Sequence, residues 1–281
     1  MEWVVINGIL KDSSKAKIQV ASPGIMYGWG LFETLKYSQK KLEMFDSHMR
    51  RFRSGAKALG LEIVPSDGEI EKYCFDIIER YNKERGAIKI SAVKDFDQTC
   101  LMISRRELSY DLDKYKRGFS VAFADVTRNQ ASNLVKIKSD NYLENLLELE
   151  KAKRAGFDEV LFLNTDGYLA EGSFTNVFCF KGKTLFTPDD KCGILKGIMR
   201  EAVIRIALES GFEVEEGKMT KKEFYESQEI FLTNSLMGIM PVCKLGNQKR
   251  DVFGPATRML YEKLKNTDLT NEEAMGWIRK E

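Results

Sequence analysis

Three charged side chains in the middle of the chain have types and spacing suited to carbonyl chemistry: Lys136, Lys138 and Glu171. A lysine held on a rigid segment can condense with a carbonyl cofactor, and a carboxylate opposite can pair with a ring nitrogen. Val135 and Ile137 alternate with Lys136 and Lys138, so a strand would put both lysines on one face. Spacing alone leaves this open, because a Lys–Glu pair on adjacent strands is more often a solvated or structural ion pair. Arg50, Arg51 and Arg53 form a second cluster. A guanidinium fork suits phosphate, although a solvated basic helix face would look the same. Gly24, Gly28 and Gly30 could line a phosphate loop. No Gly-Lys-Ser/Thr follows them and the dinucleotide spacing is absent, which favours turn building.

These groups need elements to hold them. After the lysine strand, the pattern predicts a helix over 141–155 with Leu143, Leu146, Leu147 and Ala152 at helical spacing, ended by Gly156 in a left-handed conformation. A strand over 160–163, an Asp166-Gly167 turn and a return strand over 168–171 then carry Glu171. Upstream, 3–6 reads as a strand, Asn7-Gly8 as a turn and 18–21 as another strand. Asp46 or Ser47 can cap a helix through His48, Arg51 and Phe52 to about Leu59, with Gly60 at its end. A helix over 69–82 turns Ile70, Cys74, Ile77 and Ile78 inward, and strands follow over 87–93 and 100–104. Helices on an antiparallel sheet make this part α+β. Residues 1–110 are expected to form one domain, with a charged, turn-rich linker at 111–117 and a second domain over 118–281. The latter contains strands over 119–124 and 229–233, helices over 198–208 and 252–265, and a short surface helix or tail over 267–281.

The chain has 281 residues, 43% hydrophobic and 31% charged, which suits a globular protein with a substantial core. A net charge of +2 argues against nucleic acid or an anionic membrane as an obligatory partner. The apolar N-terminal run is too short to span a bilayer and lacks a signal-peptide pattern. Five scattered cysteines fit a reducing cytoplasm rather than a disulfide framework. With one histidine and no Cys-x-x-Cys, a zinc site is not expected.

The ordered series Lys138, Asn141, Asp166-Gly167, Glu171-Gly172-Ser173 and Asn176-Val177-Phe178 resembles the class IV aminotransferases, the fold-type IV pyridoxal-phosphate (PLP) enzymes. Further matches run from Asn7-Gly8 to Pro241-Val242. The resemblance implies an α+β, two-domain architecture with a smaller N-terminal α/β sandwich and a larger C-terminal pseudo-barrel. It also implies a cytoplasmic homodimer acting on a small amino-acid-like substrate.

By the same resemblance, Lys138 is the Schiff-base lysine and Glu171 faces the pyridine nitrogen. Arg51, from His48-x-x-Arg51-Phe52, binds the cofactor phosphate together with the amides of Ile198 and Met199. His48 is structural. Ser235 and Leu236 belong to the last active-site loop, and Tyr142 is a candidate contact to the cofactor's phenolic oxygen. Tyr27 and Trp29 stand at the substrate rim, where Trp29 replaces the family's usual Asp. Phe32-Glu33-Thr34, Gly197-Ile198-Met199-Arg200 and Asn234-Ser235-Leu236-Met237 with Met240-Pro241-Val242 look more like aminodeoxychorismate lyases than branched-chain or D-amino-acid aminotransferases.

Overall fold

The computed structural model describes residues 2–272 and 275. The chain folds into two compact units. Unit 1 comprises Met1–Ser109, Ile137–Asn141 and Asp268–Glu281, and unit 2 comprises Tyr110–Lys136 and Tyr142–Thr267. The partition is discontinuous, whereas the sequence reading places a single boundary near residue 110. The lysine segment belongs to unit 1 because its backbone pairs there: Phe32 N–H donates to the Lys138 carbonyl and Asp140 N–H to the Gly30 carbonyl, both at 2.9 Å.

Unit 1 begins with β1 (Trp3–Ile6) and β2 (Ile9–Asp12), joined at Asn7-Gly8, where both residues have positive φ. The second strand follows that turn directly; the one expected over 18–21 is irregular, and α1 (Pro23–Tyr27) comes next. Then follow β3 (Gly30–Ser38), β4 (Lys41–Leu42), α2 (Phe45–Ala58), α3 (Asp67–Tyr81), β5 (Arg85–Asp95) and β6 (Gln98–Arg106). The six strands form one antiparallel sheet in the order β2-β1-β6-β5-β3-β4. Ser66 and Glu69 make a capping box at the start of α3. Its inward residues Ile70, Cys74, Ile77 and Ile78 are fully buried, each isoleucine contributing about 1.5–3 kcal/mol.

Helix α2 is capped differently from expectation. Its N-cap is Met44 with φ 54°, and neither Asp46 nor Ser47 caps it with a side chain. Ser47 N–H instead donates to Glu272 at 3.2 Å and Met44 N–H to the Leu269 carbonyl at 2.8 Å. Leu269 and Glu272 are buried, so the described part of the expected surface tail is packed. The remainder of that expected element, 273–281 apart from 275, lies outside the described residues.

In unit 2 the expected linker contains a helix, α4 (Leu112–Arg117), capped by Asp111. The chain continues through β7 (Phe119–Arg128), α5 (Leu143–Arg154), β8 (Glu159–Asn164), β9 (Leu169–Gly172), β10 (Asn176–Lys181), β11 (Thr184–Pro188) and α6 (Ile198–Glu209). It ends with β12 (Glu213–Gly217), α7 (Lys221–Tyr225), β13 (Glu229–Asn234), β14 (Gly238–Leu245), β15 (Gln248–Lys249) and α8 (Pro255–Lys265). The nine strands make a mixed sheet ordered β12-β11-β10-β13-β14-β7-β8-β9, with β15 on β14. Val121, Leu161, Val177, Leu232, Met240 and Val242 build its main core.

The expected strand over 135–138 does not form. Asn133–Lys136 is a 3-10 helix, and Ile137 and Lys138 are in a turn before an isolated bridge between Ser139 and Leu31. Lys136 is exposed in unit 2 and Lys138 half-buried in unit 1, so the two lysines share no strand face. Helix α5 also departs from its pattern. Leu143, Leu146 and Leu147 are exposed, while Asn145, Glu148, Leu149 and Ala152 are buried. Gly156 ends that helix with φ 83°, as the sequence requires.

Candidate active site

In unit 1, Lys138 is fixed by its neighbours on both sides. Its carbonyl is paired with β3, and Asn141 Nδ2 donates to the Gly28 carbonyl at 3.0 Å. The asparagine three residues after the lysine therefore anchors the segment to the end of α1. Lys138 Nζ lies 4.4 Å from the Phe32 ring centre. Lys89, on β5, places its own Nζ 4.3 Å from the same centre. The two nitrogens are therefore no more than about 9 Å apart.

Burial lowers the Lys89 pKa, opposed by Asp140 and reinforced by Arg106 and Lys138. Asp140 is raised by burial, opposed by Lys89 and Lys138. A Cβ on Gly30 would overlap Asp140 Oδ2, so this glycine makes room for the carboxylate. Lys89 and Asp140 escaped the sequence reading, since one sits inside a strand pattern and the other inside a lysine motif.

The arginine cluster separates by role. Arg53 donates to Asp67 and to the carbonyls of Ile63 and Pro65, bracing the loop before α3. Arg50 is exposed. Arg51 donates through Nε and one terminal nitrogen to Glu33, both at 2.7 Å. His48 Nδ1 is 2.7 Å from the same carboxylate and is fully buried, in keeping with its structural reading. Burial pushes the Glu33 carboxyl up, but Arg51 and His48 overcome it and hold its pKa down to about 2. Burial lowers the His48 pKa, against the opposing pull of Glu33; facing a carboxylate, its Nδ1 is the nitrogen that carries a proton. Glu33 thus fixes the direction of the Arg51 fork. Tyr27 and Trp29 are exposed, and Trp29 Nε1 donates to the Leu59 carbonyl at 2.9 Å.

In unit 2, Glu171 is held by Arg128, Asn176 and Leu195 among its partners. Arg128 approaches Oε1 at 3.1 Å, Asn176 Nδ2 donates to Oε2 at 3.2 Å, and Leu195 N–H donates to Oε2 at 2.9 Å. Behind it, Glu159 is buried and accepts from Ser173 Oγ at 2.5 Å, Val160 N–H at 2.8 Å and Thr175 Oγ1 at 3.2 Å. These bonds hold the 172–175 turn between Glu171 and Asn176. Arg128 and Glu159 were missed; a charged residue at the edge of a strongly apolar strand, as in Asp-Glu-Val-Leu-Phe-Leu, is the signal that could have found Glu159.

Helix α6 starts at Gly197 with no side-chain cap, and Ile198 and Met199 are buried in its first turn. Uncapped first-turn amides favour an anion. A Cβ on Gly197 would overlap Asn176 Oδ1, so a larger residue there would have to displace the Asn176 side chain. Ser235 is half-buried in the 235–237 turn. The Leu236 amide is already engaged by Asn234 Oδ1 at 3.0 Å, which weakens its expected role toward a phosphate. Tyr142, at the start of α5, stacks on Phe174 with ring centres 5.2 Å apart.

Within unit 2, a fixed carboxylate suits a pyridinium and an open helix start suits a phosphate; within unit 1, the Arg51 guanidinium also suits a phosphate. Comparison with known proteins agrees. The family described as "Amino-transferase class IV" matches residues 30–245. The aminodeoxychorismate lyase of Bacillus subtilis is 27% identical over 94% of this chain and 95% of its own. The branched-chain-amino-acid aminotransferase of Salmonella typhimurium is 27% identical over 99% and 96%. The crystal structure of the Escherichia coli branched-chain amino acid aminotransferase superposes with a TM-score of 0.89 at 26% identity, covering 94% of each chain. The fold is thus the two-domain α+β architecture expected from the sequence.

Proposed function

The chain belongs to the class IV aminotransferase family and is a PLP-dependent enzyme, and within that family we propose that it is an aminodeoxychorismate lyase releasing pyruvate and 4-aminobenzoate. The observation that carries this reading is the closed turn over 234–238. Asn234 Oδ1 accepts from the amides of Leu236 and Met237 at 3.0 and 2.9 Å, and Tyr115 donates to the Met237 carbonyl at 2.6 Å. This is the Asn-Ser-Leu-Met segment whose sequence resembles the lyases, and its asparagine has a structural task that most other side chains cannot perform.

PLP supplies a reactive aldehyde and a ring that takes up the electron pair left when a C–H bond breaks. In this reading Lys138 would be the residue that holds PLP through its aldehyde, and its amine would serve as base for the proton on the amine-bearing carbon and as acid when the enolpyruvyl group leaves. Glu171 keeps the pyridine nitrogen protonated. Arg51 and the amides of Ile198 and Met199 hold the phosphate, with Ser235 as a further donor. Lys89, whose amine faces the same Phe32 ring as that of Lys138, offers a cation to a substrate carboxylate. Family resemblance supports a cytoplasmic homodimer.

A second reading has its own support: among similar relatives, branched-chain aminotransferase names outnumber the lyase name. The two separate in one assay. PLP-loaded protein is given 4-amino-4-deoxychorismate, and in parallel L-leucine or D-alanine with 2-oxoglutarate. Equal amounts of pyruvate and 4-aminobenzoate support the lyase. Amino transfer without pyruvate release makes the protein an aminotransferase.

A further inference from the structure

Arg128 ends β7 and is 9% exposed, a costly place for a charge unless every part of it is used. One terminal nitrogen is 3.1 Å from Glu171 Oε1. The other donates to Asn145 Oδ1 at 3.3 Å. Asn145 is itself oriented, because its Nδ2 donates to the Ser173 carbonyl at 2.6 Å. The guanidinium carbon lies over the Phe162 ring, 4.5 Å from its centre. Its Nε is buried and meets no acceptor among the described residues. A side chain held by an aromatic face, an oriented amide and a buried carboxylate has little freedom to reorient. The buried asparagine of α5 also acquires a purpose: it aims Arg128 rather than packing the core.

We propose that Arg128 is the positioning residue for Glu171, so that the protonation state of the cofactor's pyridine nitrogen is set by an Arg128–Glu171 pair and not by Glu171 alone. This rests on the role given to Glu171 above. Glu171 accepts from Asn176 and the Leu195 amide as well, but those donors are neutral. Arg128 brings a positive charge to 3.1 Å from the buried carboxylate, which favours its ionised form. Without it, Glu171 takes up a proton more readily and shares less of its charge with the ring.

The test compares wild type, Arg128→Met, Arg128→Lys, Glu171→Gln and the Arg128→Met/Glu171→Gln double variant as PLP-loaded proteins. The readouts are the midpoint of the pH titration of the cofactor's visible absorbance and the PLP dissociation constant. Arg128→Met is expected to move the midpoint in the same direction as Glu171→Gln and to weaken PLP binding about tenfold. The double variant should shift no further than Glu171→Gln, and Arg128→Lys should restore part of the shift. Thermal unfolding of the apoproteins identifies any variant that has not folded, and Arg128→Lys then carries the comparison with Glu171→Gln. If Glu171→Gln shifts the midpoint while neither Arg128 variant does, the proposal fails and the Glu171 role stands. Additive shifts in the double variant also overturn it. An unchanged midpoint in Glu171→Gln removes the Glu171 role and the proposal together.

Discussion

Replacing Glu33 by glutamine tests how the Arg51 fork is held. The wild-type carboxylate is 1% exposed and accepts from Arg51 twice and from His48, all at 2.7 Å. Glutamine keeps the shape but removes the charge and turns one acceptor into a donor facing donors. Breaking a buried pair by removing one partner costs about 3–5 kcal/mol. The depression of the Glu33 pKa from 4.5 to about 2 gives an independent figure of about 3 kcal/mol. Because Arg51 is 19% exposed and partly rehydrates, the lower value is expected.

The assay is urea unfolding of the apoprotein at pH 7 followed by tryptophan fluorescence, since Trp3 and Trp29 both lie in unit 1. About 3 kcal/mol lowers the midpoint by about 1–2 M. The sign with pH follows from linkage. Glu33 has a folded pKa below its unfolded value, so its stabilisation is complete above pH 4.5 and lost as pH falls through about 2. The gap between wild type and variant should therefore be largest at pH 7 and about half as large near pH 3. His48, whose pKa is also depressed, adds a separate loss of stability as pH drops below 6.5. A difference under about 0.5 kcal/mol at pH 7, or a gap constant to pH 3, would refute the claim that Glu33 is an ionised anchor.

Two further substitutions probe the cofactor groups. Lys138→Ala should abolish the visible absorbance of bound PLP and its trapping by borohydride; a surviving trapped adduct would move the role to Lys136. Gly197→Ala should drive Asn176 away from the start of α6, costing about 1–3 kcal/mol and weakening PLP binding tenfold or more in equilibrium dialysis. Unchanged binding there would separate the helix start from the phosphate.

Parts of the fold could be read along the chain because local chemistry fixes them. The left-handed Gly156 and the burial of Ile70, Cys74, Ile77 and Ile78 follow from sequence neighbours. The order of Lys138, Glu171, Asn176 and Gly197 placed the chain in its family, since motifs carry the chemistry whatever the surrounding fold does. Sequence failed where a distant partner decides the outcome. The 135–138 alternation favours a strand, yet hydrogen bonds with Gly30 and Phe32, about a hundred positions away, take the lysine segment while Asn133–Lys136 coils into a 3-10 helix.

Leu143, Leu146 and Leu147 have helical spacing, but tertiary packing turned Asn145 and Glu148 inward instead. Asn145 is needed to aim Arg128, a demand no local pattern records. Glu272 caps α2 from 225 residues away, which is beyond any window of local propensity. The sequence by itself determined which side chains can do chemistry and the short-range signals that begin and end the elements. Only the tertiary structure decided which of several similar charges is held by a buried counter-charge. Desolvation and ion pairing depend on distances in space that sequence separation does not encode.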